Sequence, residues 1–200
     1  MWNRASPYAV VLGLLALLGI SCPLHAATDP SAVDLDGRTV KLFSSRAPVV
    51  VLFFTASDCP IASRYEPEML RLEQKFNSSN VAFWWVYPNP GDTAATIRRH
   101  REQFTGSAHV LRDVDQSLAH WSHATVTPEA AIFVSNSGRL REVYHGRIDD
   151  RYIALGRARP RANHHELEEA IGAALAKRPI PQPAGSPVGC CIVPLGLERP

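Results

Sequence analysis

The sequence has little excess of charge of either sign, no internal repeat and no long hydrophobic run. Its 200 residues include 21 Lys and Arg against 19 Asp and Glu, a balance that gives no indication of a nucleic-acid partner or an acidic partner. The apolar stretch at residues 8–20 is too short to span a bilayer comfortably. The length after this stretch is enough for one domain with a hydrophobic core and too small for two ordinary domains.

The first 27 residues have the features of a secretory signal peptide. Arg4 supplies a positive charge, residues 8–20 supply the apolar segment, and Ala26 and Ala27 supply small side chains for cleavage. We therefore predict that residues 1–27 are removed and that the protein is exported, to a periplasm or to the extracellular space. An alternative is a lipoprotein signal, in which an acylated Cys22 would attach the protein to the membrane.

The rest of the chain is organised around Cys59. Val49–Phe54 is a continuous apolar run, typical of a strand that is buried on both faces. Pro60 lacks an N–H and has a fixed φ, which predicts that it is the first residue of a helix and that Cys59 is its cap. The helix N-terminus favours a thiolate there, whereas the negative charge of Asp58 opposes one. We hypothesise that Cys59 is a redox-active nucleophile; the alternative is a buried, inert thiol.

Strand and helix patterns alternate along the chain. The turn residues at 36–37 predict an N-terminal β-hairpin within residues 32–43. Further strands are predicted at 81–86, 109–111, 130–134 and 140–144, and helices at 60–76, 93–104, 115–122 and 163–177. Residues 149–162 are rich in arginine and have no apolar period, so we predict an exposed loop. This order of elements indicates an α/β fold with a mixed sheet.

Three motifs in this order resemble the thioredoxin-like superfamily, and more closely its redoxin branch, where thioredoxin-type reductases and peroxiredoxin-like (AhpC/TSA-type) proteins overlap. The motifs are the strand that leads into Cys59 and a helix containing Pro67, the pair Thr127-Pro128 before a strand, and a hairpin that ends at residues 144–147. The resemblance covers residues 32–177. It implies a three-layer fold with a mixed central sheet flanked by helices, an N-terminal β-hairpin and an irregular C-terminal tail.

The resemblance also implies a set of site residues, from which this sequence departs. It implies that Pro128 follows a cis peptide bond and lies beside the reactive cysteine, so Thr127 and Pro128 are candidate site residues with Cys59. Thioredoxins carry a second cysteine where Ala62 stands, and peroxiredoxins carry Thr or Ser where Ala56 stands. Copper-delivering relatives need a second nearby cysteine, which residues 61–63 do not supply. Cys59 therefore has no local partner thiol.

The partner thiols available lie in a proline-rich tail, residues 178–200. A tail of this type extends by ~3.1 Å per residue, so either Cys190 or Cys191 can reach Cys59. A disulfide between the two adjacent cysteines would strain the peptide that joins them. Without residues 1–27 three cysteines remain, an odd number that cannot pair completely. We take Cys190 as the first choice for the thiol that resolves Cys59.

We therefore predict an exported thiol-dependent oxidoreductase, either a thiol–disulfide oxidoreductase or a peroxiredoxin-like redoxin with antioxidant activity. Cys59 is its nucleophile, Cys190 its candidate resolving thiol, and no cofactor is expected. The expected partners are a thiol or disulfide protein or a small-molecule oxidant, with an external thiol reductant. The alternative is a non-catalytic module that binds copper or a partner protein through Cys59 and the tail cysteines.

The histidines give no recognised metal-ligand pattern. His120 and His123 are three residues apart and His164 and His165 are adjacent, with no carboxylate or cysteine at ligand spacing beside them. We interpret them as surface histidines. His123 alone has a further feature, because it lies five residues before Pro128.

Overall fold

A computed structural model describes residues 30–42, 47–76, 79–104, 109–136 and 139–197. The predicted signal peptide at 1–27 and Cys22 lie outside the described residues. Among the helices that are described, none is long and apolar enough to cross a membrane.

A seven-stranded mixed sheet forms the centre of the fold. The strands along the chain are β1 (Ala32–Val33), β2 (Thr39–Val40), β3 (Val49–Phe54), β4 (Val81–Tyr87), β5 (His109–Arg112), β6 (Val126–Thr127), β7 (Glu129–Asn136), β8 (Arg139–Gly146), β9 (Tyr152–Ala154), β10 (Arg157–Ala158) and β11 (Cys190–Cys191). The central sheet has the order β2-β1-β5-β4-β3-β7-β8. β3 runs parallel to β4 and antiparallel to β7, and β1 and β2 form the predicted N-terminal hairpin.

β3 is buried on both faces of the sheet, which explains its unbroken apolar sequence. Val49, Val51 and Phe53 contribute to one core cluster. The alternate residues, from Val50 to Phe54, contribute to a second cluster on the opposite face. The carboxyl end of β3 therefore lies in the interior of the protein, and Cys59 follows shortly after it.

Helices cover both faces of the sheet. They are α1 (Pro60–Phe76), α2 (Ala94–Arg101), α3 (Ser117–Trp121) and α4 (Glu166–Leu175). Met69 of α1, Ile97 of α2 and Ile171 of α4 belong to the first core cluster. Leu118 of α3 belongs to the second. This arrangement confirms the expected three-layer, thioredoxin-like fold.

The prediction of an exposed loop at residues 149–162 is wrong for its first residues and for its lack of strands, although most of residues 153–161 are exposed. Asp149, Asp150 and Tyr152 are buried, and β9 and β10 form a small antiparallel hairpin. The carboxylate of Asp150 accepts the backbone N–H groups of residues 163 and 164, just before α4. Asp149 accepts a hydrogen bond from the hydroxyl of Tyr65. The arginine-rich pattern misled the prediction because the two aspartates are buried through partners distant in sequence.

The C-terminal tail is irregular over residues 178–189, as expected, and then forms β11. This short strand pairs antiparallel with β6, outside the central sheet. Val188 and Cys190 pack against the first core cluster, and Ile192 packs against the second. The tail is therefore in contact with the domain at the end of β3.

Candidate thiol site

Cys59 is the cap of α1 and is fully buried. Its carbonyl oxygen accepts the N–H of Ser63 at 3.0 Å, which is the first hydrogen bond of the helix. The N–H of Ala62 donates to the sulfur at 3.4 Å. A backbone donor at a helix N-terminus favours a negative charge on the sulfur. The geometry that Pro60 predicted for Cys59 is thus present.

The second sulfur at the site belongs to Cys190. The two Sγ atoms are 2.6 Å apart, and no disulfide joins the two residues. This separation exceeds a covalent S–S bond of about 2.05 Å. Cys191 is exposed, because consecutive residues of β11 point to opposite sides. The structure therefore brings Cys190, and not Cys191, to Cys59.

Thr127 and Pro128 also lie at the site of the two thiols. The peptide bond between them is cis. The carbonyl oxygen of Thr127 is 3.1 Å from the sulfur of Cys59, and Thr127 is the register partner of Cys190 in the β6–β11 pair. All four residues that the sequence analysis selected are thus together. Their part in a reaction stays a prediction.

Gly189 allows the tail to approach this closely. A Cβ atom at position 189 would lie 2.1 Å from the carbonyl oxygen of Thr127. A similar close approach occurs earlier in the tail, where a Cβ on Gly146 would lie 2.8 Å from Cγ of Pro183. The sequence analysis missed both glycines; the only local signal was the position of Gly189 directly before the cysteine pair.

Three further hydrogen bonds hold the tail after the cysteines. The N–H of Ile192 donates to the carbonyl of Thr125 at 3.0 Å. The N–H of Val193 donates to Oδ1 of Asn89 at 2.9 Å, and Nε2 of Gln116 donates to the carbonyl of Val193 at 2.6 Å. Asn89 and Gln116 are buried, and nothing in their sequence context predicts this role.

The segment before the cis peptide is ordered by Glu129. Its Oε2 accepts the N–H groups of Thr125 at 2.9 Å and Val126 at 3.2 Å. Burial raises the pKa of the Glu129 carboxyl, and these two hydrogen bonds oppose that increase. Glu129 therefore holds in place the backbone segment that positions the Thr127 carbonyl against the Cys59 sulfur.

Nearby hydroxyl groups do not contact the Cys59 sulfur. Ser57, two residues before it, directs both its N–H and its hydroxyl to Oδ1 of Asp92. Within the described residues the hydrogen-bond partners of the Cys59 sulfur are the N–H of Ala62, the carbonyl of Thr127 and the sulfur of Cys190. This agrees with the departure from the peroxiredoxin pattern at Ala56.

A buried ion pair joins α1 to α2 away from the thiols. Oε2 of Glu66 accepts Nη1 of Arg101 at 2.5 Å, and the Arg101 guanidinium lies 4.2 Å from the ring centroid of Trp85. Burial raises the pKa of Glu66 to about 7, although the charge of Arg101 opposes this. The pair fixes the helix that begins at Cys59, and the sequence analysis did not identify it.

Two groups of side chains outside the thiol site have the types of atom that bind metals. One contains His123, Glu142 and His145, and the other contains Glu68, Asp149 and His165. His123 and His165 are exposed, as predicted for surface histidines. Sequence spacing does not predict either group, because their members come together only in the fold.

A cysteine at the N-terminus of a helix, beside a cis-proline and at the end of a central mixed-sheet strand, defines a thioredoxin-like protein of the redoxin branch. The chain belongs to the AhpC/TSA family, whose model matches residues 23–143. This confirms the resemblance seen in the sequence. No curated protein matches the sequence significantly.

Solved structures with the same fold support this classification. An uncharacterised conserved protein from Geobacillus kaustophilus is 24% identical with a TM-score of 0.67, over 84% of this chain and 89% of that chain. A hypothetical protein from Sinorhizobium meliloti 1021 is 22% identical with a TM-score of 0.65, over 81% and 88%. A provisionally named thiol:disulfide interchange protein, DsbE, from Chlorobium tepidum is 20% identical with a TM-score of 0.54, over 72% and 92%. At these identities the likeness shows the fold.

Proposed function

We propose that the protein is a thiol–disulfide oxidoreductase in which Cys59 is the nucleophile and Cys190 is the resolving thiol. The observation that carries this proposal is the 2.6 Å separation of the two sulfurs, in a β pair that sets Cys190 opposite Thr127. The family supports redox chemistry at a cysteine. The name of the Chlorobium tepidum relative supports exchange with disulfides in particular.

The reaction takes two exchange steps. The Cys59 thiolate attacks one sulfur of a substrate disulfide, forms a mixed disulfide and releases one substrate thiolate, which takes up a proton. The Cys190 thiolate then attacks the Cys59 sulfur and releases the second substrate thiol. Two electrons pass to the substrate, and the protein is left with a Cys59–Cys190 disulfide. An external thiol reductant then reduces the Cys59–Cys190 disulfide by thiol–disulfide exchange, which restores the two thiols.

The tail must separate from the domain in the first step. Cys59 has no exposed surface, and Cys190 lies directly against it. β11 has only two residues, so its separation breaks few backbone hydrogen bonds. The tail therefore covers the nucleophile before the substrate binds and resolves it afterwards.

Two observations favour disulfide exchange over the other chemistries expected from the sequence. Among the residues that the structure describes, the hydrogen-bond partners of the Cys59 sulfur include no hydroxyl donor, which disfavours a peroxiredoxin-type reaction with peroxide. Two thiolates that share a metal ion at about 2.3 Å each stand ~3.8 Å apart. The 2.6 Å separation seen here fits sulfur-to-sulfur exchange better than copper held between these cysteines.

We also propose that the protein is exported, on the basis of residues 1–27. The mass of the protein recovered from the periplasm or the culture medium tests this. Loss of residues 1–27 is expected, a lipid on Cys22 would indicate membrane attachment, and an intact chain retained in the cytoplasm would contradict export.

Single serine variants test the thiol proposal, with glutathione disulfide as the oxidised substrate. We expect Cys59→Ser to abolish its reduction, because no other thiol in the described part of the chain has the same position at a helix N-terminus. Cys190→Ser should stop at a mixed disulfide between Cys59 and glutathione, visible by mass spectrometry without reductant. Cys191→Ser is the matched control, and it should keep full activity because this side chain points away from Cys59.

Two results would contradict the proposal. One is unchanged reduction by Cys59→Ser. The other is a wild-type protein whose thiols stay free after oxidation and bind copper in stoichiometric amounts, which would favour the non-catalytic alternative. A Cys59–Cys190 crosslink that re-forms after reduction would support the proposal.

A further inference from the structure

We propose that His123, Glu142 and His145 form a binding site for a divalent transition metal ion of the Zn²⁺ type. Glu142 and His145 belong to β8, and His123 follows α3. Two imidazoles and a carboxylate are a donor set that Zn²⁺ and its neighbours in the first transition row bind well. The site is separate from the two thiols and does not depend on the proposed exchange reaction.

A bulge in β8 puts two of the three ligands on the same face of the sheet. Residues three apart in a regular strand point to opposite faces. Here His145 is opposite Ala131 and Glu142 is opposite Phe133, so Val143 is an additional residue in β8. Because Ala131 and Phe133 are two residues apart in β7, Glu142 and His145 point to the same side. Because of the bulge, Glu142 and His145 can bind one ion although their spacing in the sequence matches no ligand pattern.

The third ligand is brought to this face by the packing of α3. Trp121, the last residue of α3, stacks on Phe133 with ring centroids 4.0 Å apart. Phe133 is the strand partner of Glu142, so the chain leaves α3 beside that carboxylate. His123 then adopts a left-handed conformation with φ of +53°. Its ring lies 5.6 Å from the ring of His145, measured between centroids.

The distances between donor atoms fit one small ion. Nδ1 of His145 is 2.9 Å from Oε1 of Glu142, and Nδ1 of His123 is 3.5 Å from Oε2 of the same carboxylate. Metal–ligand bonds of about 2.0–2.2 Å in a tetrahedral site place neighbouring donor atoms ~3.3–3.6 Å apart. One ligand atom from each of the three residues lies within 4.8 Å of the other two, so side-chain rotations can bring all three onto one ion.

One carboxylate oxygen at this site lacks a hydrogen-bond donor. Oε2 of Glu142 is buried and, within the described residues, has no hydrogen-bond partner; its 3.5 Å contact is with the His123 ring, itself a proposed ligand. A buried carboxylate oxygen without a partner is costly, and a cation removes that cost. The imidazoles of His123 and His145 are exposed, so both remain accessible to an ion from solvent.

The second cluster of this kind lacks these properties. In the group of Glu68, Asp149 and His165, Glu68 is already paired with Arg71 at 2.6 Å. Asp149 accepts the hydroxyl hydrogen of Tyr65. Both carboxylates are thus engaged by residues outside the cluster, whereas the Glu142 carboxylate pairs, among the described residues, only with the other two proposed ligands. The second cluster therefore carries no proposal, and His165 provides a control position of the same chemistry.

Zn²⁺ titration of the full chain tests the site by calorimetry, in wild-type protein and in a variant with all four cysteines changed to serine. The serine variant removes competition from the thiols. We expect it to bind one equivalent of Zn²⁺, and we expect His123→Ala, Glu142→Gln and His145→Ala each to weaken that binding at least tenfold. His165→Ala should leave it unchanged. Circular dichroism checks that each variant is folded.

Three results would overturn the proposal. The first is a cysteine-free protein that is folded and binds no Zn²⁺, which would leave the cluster as ion pairs only. The second is Zn²⁺ binding that Glu142→Gln and His145→Ala do not change. The third is loss of binding in His165→Ala alone. If the cysteine-free chain does not fold, Glu142→Gln in the wild-type background decides, since the number of ions bound must fall by one. None of these results bears on the reduction of glutathione disulfide by Cys59.

Discussion

Gly189 is the residue on which the approach of the two thiols depends. Its backbone lies against the carbonyl of Thr127, in a space that no side chain fits. Cys190 follows directly, and strand alternation turns its sulfur toward Cys59 while Cys191 turns away. The absence of a Cβ at position 189 and the register of a two-residue strand therefore determine which tail thiol lies beside Cys59.

Gly189→Ala should detach the tail while leaving both cysteines in place. The added Cβ would lie 2.1 Å from the Thr127 oxygen, so β11 must move away from β6. We expect Cys59 to react with iodoacetamide about tenfold faster, which corresponds to ~1.4 kcal/mol of lost tail binding. The reaction is followed by mass spectrometry of the peptide that contains Cys59.

Gly172→Ala is the matched control, because a Cβ there meets nothing within 4 Å. In α4 the change should stabilise the fold by about 0.5–1 kcal/mol without changing the reactivity of Cys59. Equal iodoacetamide rates in Gly189→Ala and wild type would show that the close approach at Gly189 does not hold the tail.

Among the helices and strands, the short helix α3 lies between a residue that contacts the tail and a proposed metal ligand. Gln116, just before it, holds the tail at Val193, and His123, just after it, is a proposed metal ligand. Five residues make a weak helix by themselves. Asp113 stabilises this helix, because its two carboxylate oxygens accept the N–H groups of Leu118 at 3.0 Å and Ala119 at 2.8 Å.

The Asp113 carboxyl should give stability a distinct dependence on pH. Burial raises its pKa to about 6, with the hydrogen bonds from Ala119 and Leu118 opposing the change. Because the folded protein then binds a proton more tightly than the unfolded chain, ionisation of this group lowers the free energy of unfolding as pH rises from about 4 to 6. Asp113→Asn should remove that part of the slope, measured by urea unfolding at several pH values.

Asp115→Asn is the control, because the pKa of the Asp115 carboxyl is shifted in the opposite direction to that of Asp113. Burial acts to raise the pKa of Asp115, but hydrogen bonds from Ser117 outweigh it and hold the pKa below its usual value. Its contribution is present above the pKa of the unfolded chain and is lost as pH falls. If the free energy of unfolding has the same slope between pH 4 and 6 in Asp113→Asn and in wild type, the burial of Asp113 does not determine that slope.

Across the whole molecule, the tail returns to the domain beside Cys59, at the end of β3. Cys59 and Cys190 are separated by 131 positions in sequence, so a disulfide between them closes a loop that includes every described helix and the described strands from β4 onward. A crosslink over a loop of this length removes much of the conformational freedom of the unfolded chain. Under the proposed function, the redox state therefore changes the stability of the entire fold.

Oxidation should raise the free energy of unfolding by about 2–4 kcal/mol and Tm by roughly 5–15 °C. Calorimetry of the oxidised protein and of the protein kept in reductant measures the difference. Cys191→Ser should show the same increase as wild type, and Cys190→Ser should show none. An increase that persists in Cys190→Ser would mean that another pair of cysteines is linked.

The sequence by itself determined the position of Cys59, the fold class and most of the elements, because these follow from local rules. An unbroken apolar run specifies the buried strand β3, and Pro60 places the helix start one residue after the thiol. The prediction at residues 149–162 failed because the burial of Asp149 and Asp150 depends on Tyr65 and on the start of α4. Pattern rules do not include such distant partners.

Only the tertiary structure decided which thiol lies beside Cys59 and which histidines come together. The reach of a proline-rich tail allows either Cys190 or Cys191, and the register of β11 on β6 selects the first. The spacing of Glu142 and His145 indicates opposite faces, and the bulge at Val143 brings them to the same one. Both decisions depend on strand register, which is set by pairing between distant segments and flips every side chain when it shifts by one residue.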